Sequence, residues 1–489
     1  MNRELASKTA SLASILDLVD KKIDDFDGVN VATALHRLAA RFSKTRADLG
    51  AAKPVARLLG RFETLLAARD ETCGPREVAN ACWAAARLAA ARAEHFYRAC
   101  AAFSASRPDA FKPQETANLV WAYATAGAKA PKLFAAVAAD APYRVLVFQP
   151  QNLANVAWAF ATARERAPAL FAALGAAASD KIGECSPQHC ANLAWAFATA
   201  REPCGRLFAA VADRCLDTLS DLDPQGLANV AWAFATAHER HARLFDAIAD
   251  ACVARAAELR PRNVSGVLWA FATAAHVSPD LFATLSSRAA RDARDFGPQA
   301  LANTCWAVAT AGEEAPALFR AVAAHAPKRL REFRTTELSS VMWAYRAAGA
   351  WAGFDDAFAE ALARELSGRV RDVDARGCAN ATWADPDWRR GAALAEAWLD
   401  LRGASLRSED AAKLLRSLCS ADGRGDASHI AFLKGALGVG AFDTPPALAR
   451  CRAMVARGVL SQLHRLVRDA CARAGDRRGA ADVEARAAA

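Results

Sequence analysis

Amides, indoles and guanidinium groups recur at fixed spacing in this chain. The segment Pro150–Ala163 reads PQNLANVAWAFATA. It returns as PQHCANLAWAFATA from Pro187, PQGLANVAWAFATA from Pro224 and PQALANTCWAVATA from Pro298, with looser copies from Pro113, Pro261 and Thr335. Each copy carries a Gln, an Asn and a Trp in register: Gln151, Asn155 and Trp158, then Gln188, Asn192 and Trp195. Gln225, Asn229 and Trp232 follow, and later Gln299, Asn303 and Trp306. A carboxamide donates and accepts at once, which suits the edge of a nucleobase, and aromatic or Arg planes suit its face. Arg164, Arg166, Arg201, Arg240 and Arg262 flank these segments, where a cation can hold a phosphate.

At about 100° per residue, Leu153, Val156, Ala157 and Phe160 share one side of a helix. Gln151, Asn155, Trp158 and Thr162 share the other, with Asn152 and Ala159 between them. Stacked copies then form an amide ladder: Asn118, Asn155, Asn192, Asn229 and Asn303, interrupted by Gly266 and Ser340. The residue before the Leu varies: Asn152, His189, Gly226, Asn263, Ala300, Glu337. Variation there fits either a base-selecting position or a solvated one. The Trp and Asn residues themselves admit two readings, packing between neighbouring repeats or contact with bases.

The period fixes the architecture. Nine tryptophans mark the register, from Trp83 to Trp383, and every interval from Trp121 to Trp343 is 37 residues. Such a period means stacked supersecondary units. Proline opens helix A, and Ser186 and Asp223 are placed to cap it. A short polar turn follows, and Pro131, Pro168, Pro279 and Pro316 open a helix B carrying a Leu-Phe pair, as in Leu170-Phe171. The expected fold is all-α, a right-handed α-solenoid of about eight or nine 37-residue hairpins. The domains read as an N-terminal extension (1–26), a degenerate capping repeat (27–70), the repeat array (71–385) and a C-terminal helical region with a frayed tail (386–489). In the cap, His36 stands at the tryptophan position of VATALHRLAA.

Composition sets the outer bounds. Apolar residues make up 53%, much of it alanine, the strongest helix former. The net charge of +9 admits a polyanionic partner without requiring one. Thirteen cysteines lack any CxxC pair and read as reduced, buried thiols. No uncharged apolar run reaches the roughly 18 residues of a membrane span. The first residues, MNRELASKTASLASILDLVDKK, are no secretory signal; their Ser, Arg and Lys suit an organelle transit peptide, but Glu4, Asp17 and Asp20 do not. No catalytic set stands out. GALGVG at 435–440 lacks a kinase loop's spacing, and His238 and His241 have no further ligands for a metal. The expectation is a non-enzyme without cofactor or metal.

The PQxLANxxWAFATA helix followed by a Pro-x-Leu-Phe helix resembles the octotricopeptide-type repeat of organelle RNA-binding proteins. It is similar to chloroplast translation and RNA-stability factors and to the helical region of FAST kinase-like mitochondrial proteins. VATALHRLAA is similar to the first segment of algal and protist members. The resemblance covers about residues 27–385. It implies binding to single-stranded RNA of an organelle transcript, in the mitochondrial matrix or the chloroplast stroma, affecting RNA processing, stability or translation, with ribonucleoprotein or ribosome-associated proteins as further partners. Many members end in a nuclease-like RAP domain, whose pattern is absent from residues 386–489. The residues implied as RNA-binding are Gln151, Asn152, Asn155, Arg164, Arg166, Gln188, His189, Asn192, Arg201, Gln225, Asn229, Arg240, Arg262, Asn263, Gln299 and Asn303. The alternative expectation is a protein-binding scaffold, as other α-solenoids are.

Overall fold

Proline at the first helical position sets where most of the long helices begin. The computed structural model describes residues 11–41, 51–90, 93–351 and 356–386, and a few positions between 390 and 401. The glycine stretch at 435–440, Leu414, Leu415, Leu418 and the tail at 473–489 lie outside them. The described residues form twenty α-helices joined by short turns and 3-10 segments, with no strand among them. The chain is an all-α solenoid of helical hairpins. Its contacts divide it into two compact units, Met1–Ile248 and Ala249–Ala489.

Within each unit the A helices pack on the next A helix and the B helices on the next B. An A helix meets its neighbouring A helices more extensively than its own B partner. Buried alanines such as Ala154, Ala157 and Ala161 permit that close approach. Helix A spans Pro113–Ala126, Pro150–Ala163, Pro187–Ala200 and Pro224–Ala237 in the first unit, and Pro261–Ala274 and Pro298–Ala311 in the second. Ser186 Oγ and Asp223 Oδ1 accept from the amides of His189 and Gly226 at 3.3 and 2.6 Å, so both cap as their sequence suggests.

Each A helix stops in the same way. The residue after the Ala-Thr-Ala end turns left-handed: Gly127, Arg164, Arg201, His238, Ala275 and Gly312 have φ between 52° and 73°. The next amide reaches back across the turn, as Glu165 N–H does to the Phe160 carbonyl at 3.1 Å.

Aromatic wedges lock successive repeats, and cation ties close single hairpins. The Phe of helix B meets the Phe of the next helix A edge to face: Phe134 with Phe160, Phe171 with Phe197, Phe208 with Phe234, centroids 5.0 to 5.1 Å apart. Where tyrosine replaces that second Phe, its hydroxyl adds a bond: Tyr123 to the Tyr97 carbonyl and Tyr345 to the Phe319 carbonyl, both 2.6 Å. Such an aromatic pair adds about 0.5–1.5 kcal/mol beyond its area burial. An exposed ion pair like Arg206–Asp180 contributes less than about 1 kcal/mol, so apolar wedging dominates the joint.

The second contact is a cation tie. Lys181 Nζ donates to the carbonyls of Leu146 and Phe148 at 2.7 and 2.8 Å. Arg144 donates to Phe111 at 2.9 Å, Arg329 to Phe296 at 3.1 Å and Arg369 to Phe333 at 2.7 Å. Each cation follows a helix B, and its accepting carbonyl lies just before helix A of that same hairpin. These cations are therefore engaged in holding the hairpins.

The degenerate first repeat keeps the register. His36, on the helix Gly28–Arg41, stacks on Trp83 with centroids 5.0 Å apart and planes 28° from parallel. Burial against its neighbours lowers its pKa below 6.5, and Arg37 and Arg87 lower it further. The unfolded chain thus takes up a proton that the folded chain resists. Stability at this cap is full above pH 6.5 and falls as the pH drops below it. Part of the ring faces solvent, so the loss is modest. Amide exchange in the helix Gly28–Arg41 should quicken on acidification from pH 7.5 to 5.5, beyond the change in intrinsic rate, and this gain should vanish in His36→Trp. Equal behaviour of the two proteins would contradict the account.

Candidate nucleic-acid interface

The outer side of helix A carries the strip its sequence implies. Gln151 is exposed, and Asn155, Trp158 and Thr162 are half-buried, while Leu153, Val156, Ala157 and Phe160 are buried. The same order holds at Gln188, Asn192, Trp195 and Thr199, and at Gln225, Asn229, Trp232 and Thr236. Gln299 is exposed beside half-buried Asn303 and Trp306.

The indoles face one another. Trp121, Trp158, Trp195 and Trp232 follow at centroid distances of 6.3 Å with planes 30° to 32° apart. In the second unit Trp269, Trp306 and Trp343 repeat this at 6.3 and 6.5 Å. A base inserted between two rings needs two contact distances, about 7 Å in all between parallel planes. These tilted pairs offer no such slot, so the indole faces belong to the scaffold. The threonines also leave the polar strip. The hydroxyl oxygens of Thr162, Thr199, Thr236 and Thr273 are covered and without a partner.

The asparagines are different. Among the described residues, Asn118, Asn155, Asn192, Asn229 and Asn303 are half-buried, and their side chains make no hydrogen bond to the protein. A half-buried carboxamide without a protein partner keeps its donor and acceptor for water or a ligand. Five in register, each beside an indole, leave a row of donors and acceptors open to a ligand.

The variable position before the Leu is a helix cap. Asn152 Oδ1 accepts from Gln149 N–H at 3.1 Å, Asn263 Oδ1 from Arg260 N–H at 3.2 Å and His189 Nδ1 from Ser186 N–H at 3.3 Å. Glu337 accepts from Arg334 N–H at 2.8 Å. Where this position is glycine, the aspartate three residues earlier caps instead: Asp223 for Gly226 and Asp374 for Gly377, both at 2.6 Å. Asn152 and Asn263 are buried. At these positions the variation alternates between two ways of satisfying the first turn, while Ala300 offers neither, and capping accounts for Asn152, His189 and Asn263 without invoking base selection.

The five arginines expected to hold phosphates are not together. Arg164, Arg166, Arg201 and Arg240 lie exposed at the C-terminal ends of A helices, and Arg262 lies at an N-terminal end. Fourteen helical residues separate the two ends by about 20 Å. The cation ties through Arg144, Lys181, Arg329 and Arg369 were missed from sequence. Their one signal was a basic residue 33 to 36 positions after the Phe that precedes four of the A helices, Phe111, Phe148, Phe296 and Phe333.

Other chemistry is quiet. The ten cysteines among the described residues are free thiols, and burial pushes those of Cys252 and Cys305 up to about 12, far from a reactive thiolate. His241 Nδ1 accepts from Leu244 N–H at 3.3 Å as a cap for helix Ala242–Ala254. Among the described residues no three His, Cys, Asp or Glu side chains gather as a metal site, and no helix is long and apolar enough to cross a membrane.

A family model described as RNA-editing substrate-binding complex 6 protein matches residues 77–348. The chain belongs to this family. The matched stretch runs from the Trp83 helix through the Trp343 helix and takes in the whole row of open asparagines. No curated protein matches the chain.

Truncating one indole tests whether the indole faces belong to the scaffold. Trp195→Ala removes a ring that meets two others, and it should cost about 2–4 kcal/mol, read by urea unfolding. A variant that unfolds like wild type would return the indoles to the ligand-binding side of the account.

Proposed function

We propose that the chain binds single-stranded RNA along the outer side of its A helices, with sequence selectivity, as a non-enzymatic protein of organelle RNA processing. The row of unpartnered asparagines carries this reading. Each amide can meet a base edge with a donor and an acceptor, and helical-repeat proteins read about one base per unit in this way. The exposed Gln151, Gln188, Gln225 and Gln299 lie one turn away on the same strip. The family's description, with its RNA-editing substrate-binding complex, supports a place in an RNA-processing assembly. The likeness to octotricopeptide-type repeats supports the mitochondrial matrix, with the chloroplast stroma as the alternative.

A second reading, protein docking, has its own observation. Tyr143, Leu146 and Val147 are 88%, 72% and 66% exposed on one inter-repeat turn. Where this repeat has Leu146-Val147, others have Gly183-Glu184, Ser220-Asp221 and Ala257-Glu258. Apolar residues replace polar ones at one repeat, which suits a protein neighbour in the same assembly.

The RNA reading is tested by Asn155→Ala, Asn192→Ala and Asn229→Ala combined. Three lost hydrogen bonds at about 1 kcal/mol each should weaken single-stranded RNA binding roughly a hundredfold. The melting temperature should hold, since no hydrogen bond to the protein is removed and alanine favours the helix. Unchanged RNA affinity would refute the amide row as the reading surface.

A further inference from the structure

The exposed cations lie at opposite ends of the A helices in the two units. In the first unit Lys129, Arg164, Arg166, Arg201, Arg240 and Arg243 line the C-terminal ends and the following turns. All are exposed, and none forms an ion pair among the described residues. The acids there, Glu165, Glu202 and Glu239, are half-buried. Glu239 Oε1 lies 3.8 Å from where a Cβ on Gly205 would sit, at the first residue of the helix Gly205–Asp217, so its charge meets a helix N-terminus. At the other end Arg144 and Lys181 are engaged with carbonyls, and Glu184, Asp217, Asp221 and Asp223 are exposed.

The second unit reverses this. Its A-helix C-terminal ends carry Glu313 and Glu314, with Asp280 and Arg320 nearby. Its N-terminal ends carry Arg260, Arg294, Lys328, Arg331 and Arg334, exposed and outside any ion pair among the described residues, against Asp295, Asp372 and the cap Asp374, while Glu258 and Glu332 are paired with Arg255 and Arg329. Helix N-termini also favour anions.

We propose that, taken unit by unit, RNA phosphates lie along the C-terminal ends of the A helices in Met1–Ile248 and along the N-terminal ends of the A helices in Ala249–Ala489. This rests on the RNA-binding reading and adds where the backbone lies. The left-handed turn residue supports it independently. Gly127 and Gly312 fill that position without strain, yet three consecutive repeats place Arg164, Arg201 and His238 there at φ 57° to 59°. Ala275 holds the same turn at φ 52°, so the turn itself does not call for the basic side chains of the first unit.

The test uses the full chain and a mixed-sequence 30-nucleotide single-stranded RNA, with binding measured across potassium chloride concentrations. One variant combines Arg166→Gln, Arg201→Gly and Arg240→Gln; another combines Arg294→Gln, Lys328→Gln and Arg331→Gln. A control carries Lys112→Gln and Arg320→Gln, each away from its unit's track. Each triple should lower the slope of log affinity against log salt by about 2, at roughly 0.7 per phosphate for single strands, and the control should leave it unchanged. Arg201→Gly alone should melt no lower than wild type yet bind RNA more weakly, which separates contact from folding. Wild-type binding whose slope neither triple alters, or alters no more than the control, overturns the track and leaves the RNA reading standing. Failure of wild type to bind RNA, or edge-dependent binding of an acidic peptide in its place, overturns both.

Discussion

No single hairpin here can bury its own faces, and the structure depends on that constraint. Helix A has one side for its partner and two flanks for its neighbours, and the flanks are closed by alanine and by the indole row. Alanine brings the helices close enough for Trp158 to meet Trp121 and Trp195 at the same 6.3 Å. The edge-to-face Phe pairs then wedge helix B of one repeat into helix A of the next. Stability in such an array is a sum of neighbour terms, so a fault in one repeat is felt at its two joints.

That arrangement leaves the outer side of helix A free of structural duty at one position per turn. The indole is held by its neighbours and the threonine hydroxyl is covered, whereas the asparagine amide between the Gln and the Trp is left without a partner. Rigid scaffold and open polar group alternate along the same helix. A reading surface needs this, because amides fixed by packed neighbours are preorganised and lose little on binding.

Much of this was legible in the sequence. The 37-residue period, the N1 prolines and the Leu-Phe pairs specified the hairpins, and helical spacing placed Gln151, Asn155 and Trp158 on one side. Even the degenerate His36 was in register, as its stacking on Trp83 shows. What was hidden depended on distance in space. Asn152, Asn263 and Glu337 look like a variable surface code, but each bonds an amide three residues earlier. The arginines look like one set, but helix length parts Arg262 from Arg164 and Arg201. Lys181 looks like a surface cation, yet it ties two carbonyls more than thirty residues away. Hydrogen bonds to the backbone leave only a faint periodic trace in side-chain chemistry, a basic residue that recurs in some repeats and not others, which is why sequence reasoning passed over them.

The most direct measurement is nuclease protection of single-stranded RNA bound to the full chain, followed by sequencing of the protected fragments. One base per repeat predicts fragments of about eight nucleotides sharing a short recurring motif. Absence of protection, or protection of duplex and single strand alike, would contradict an amide row that reads unpaired bases.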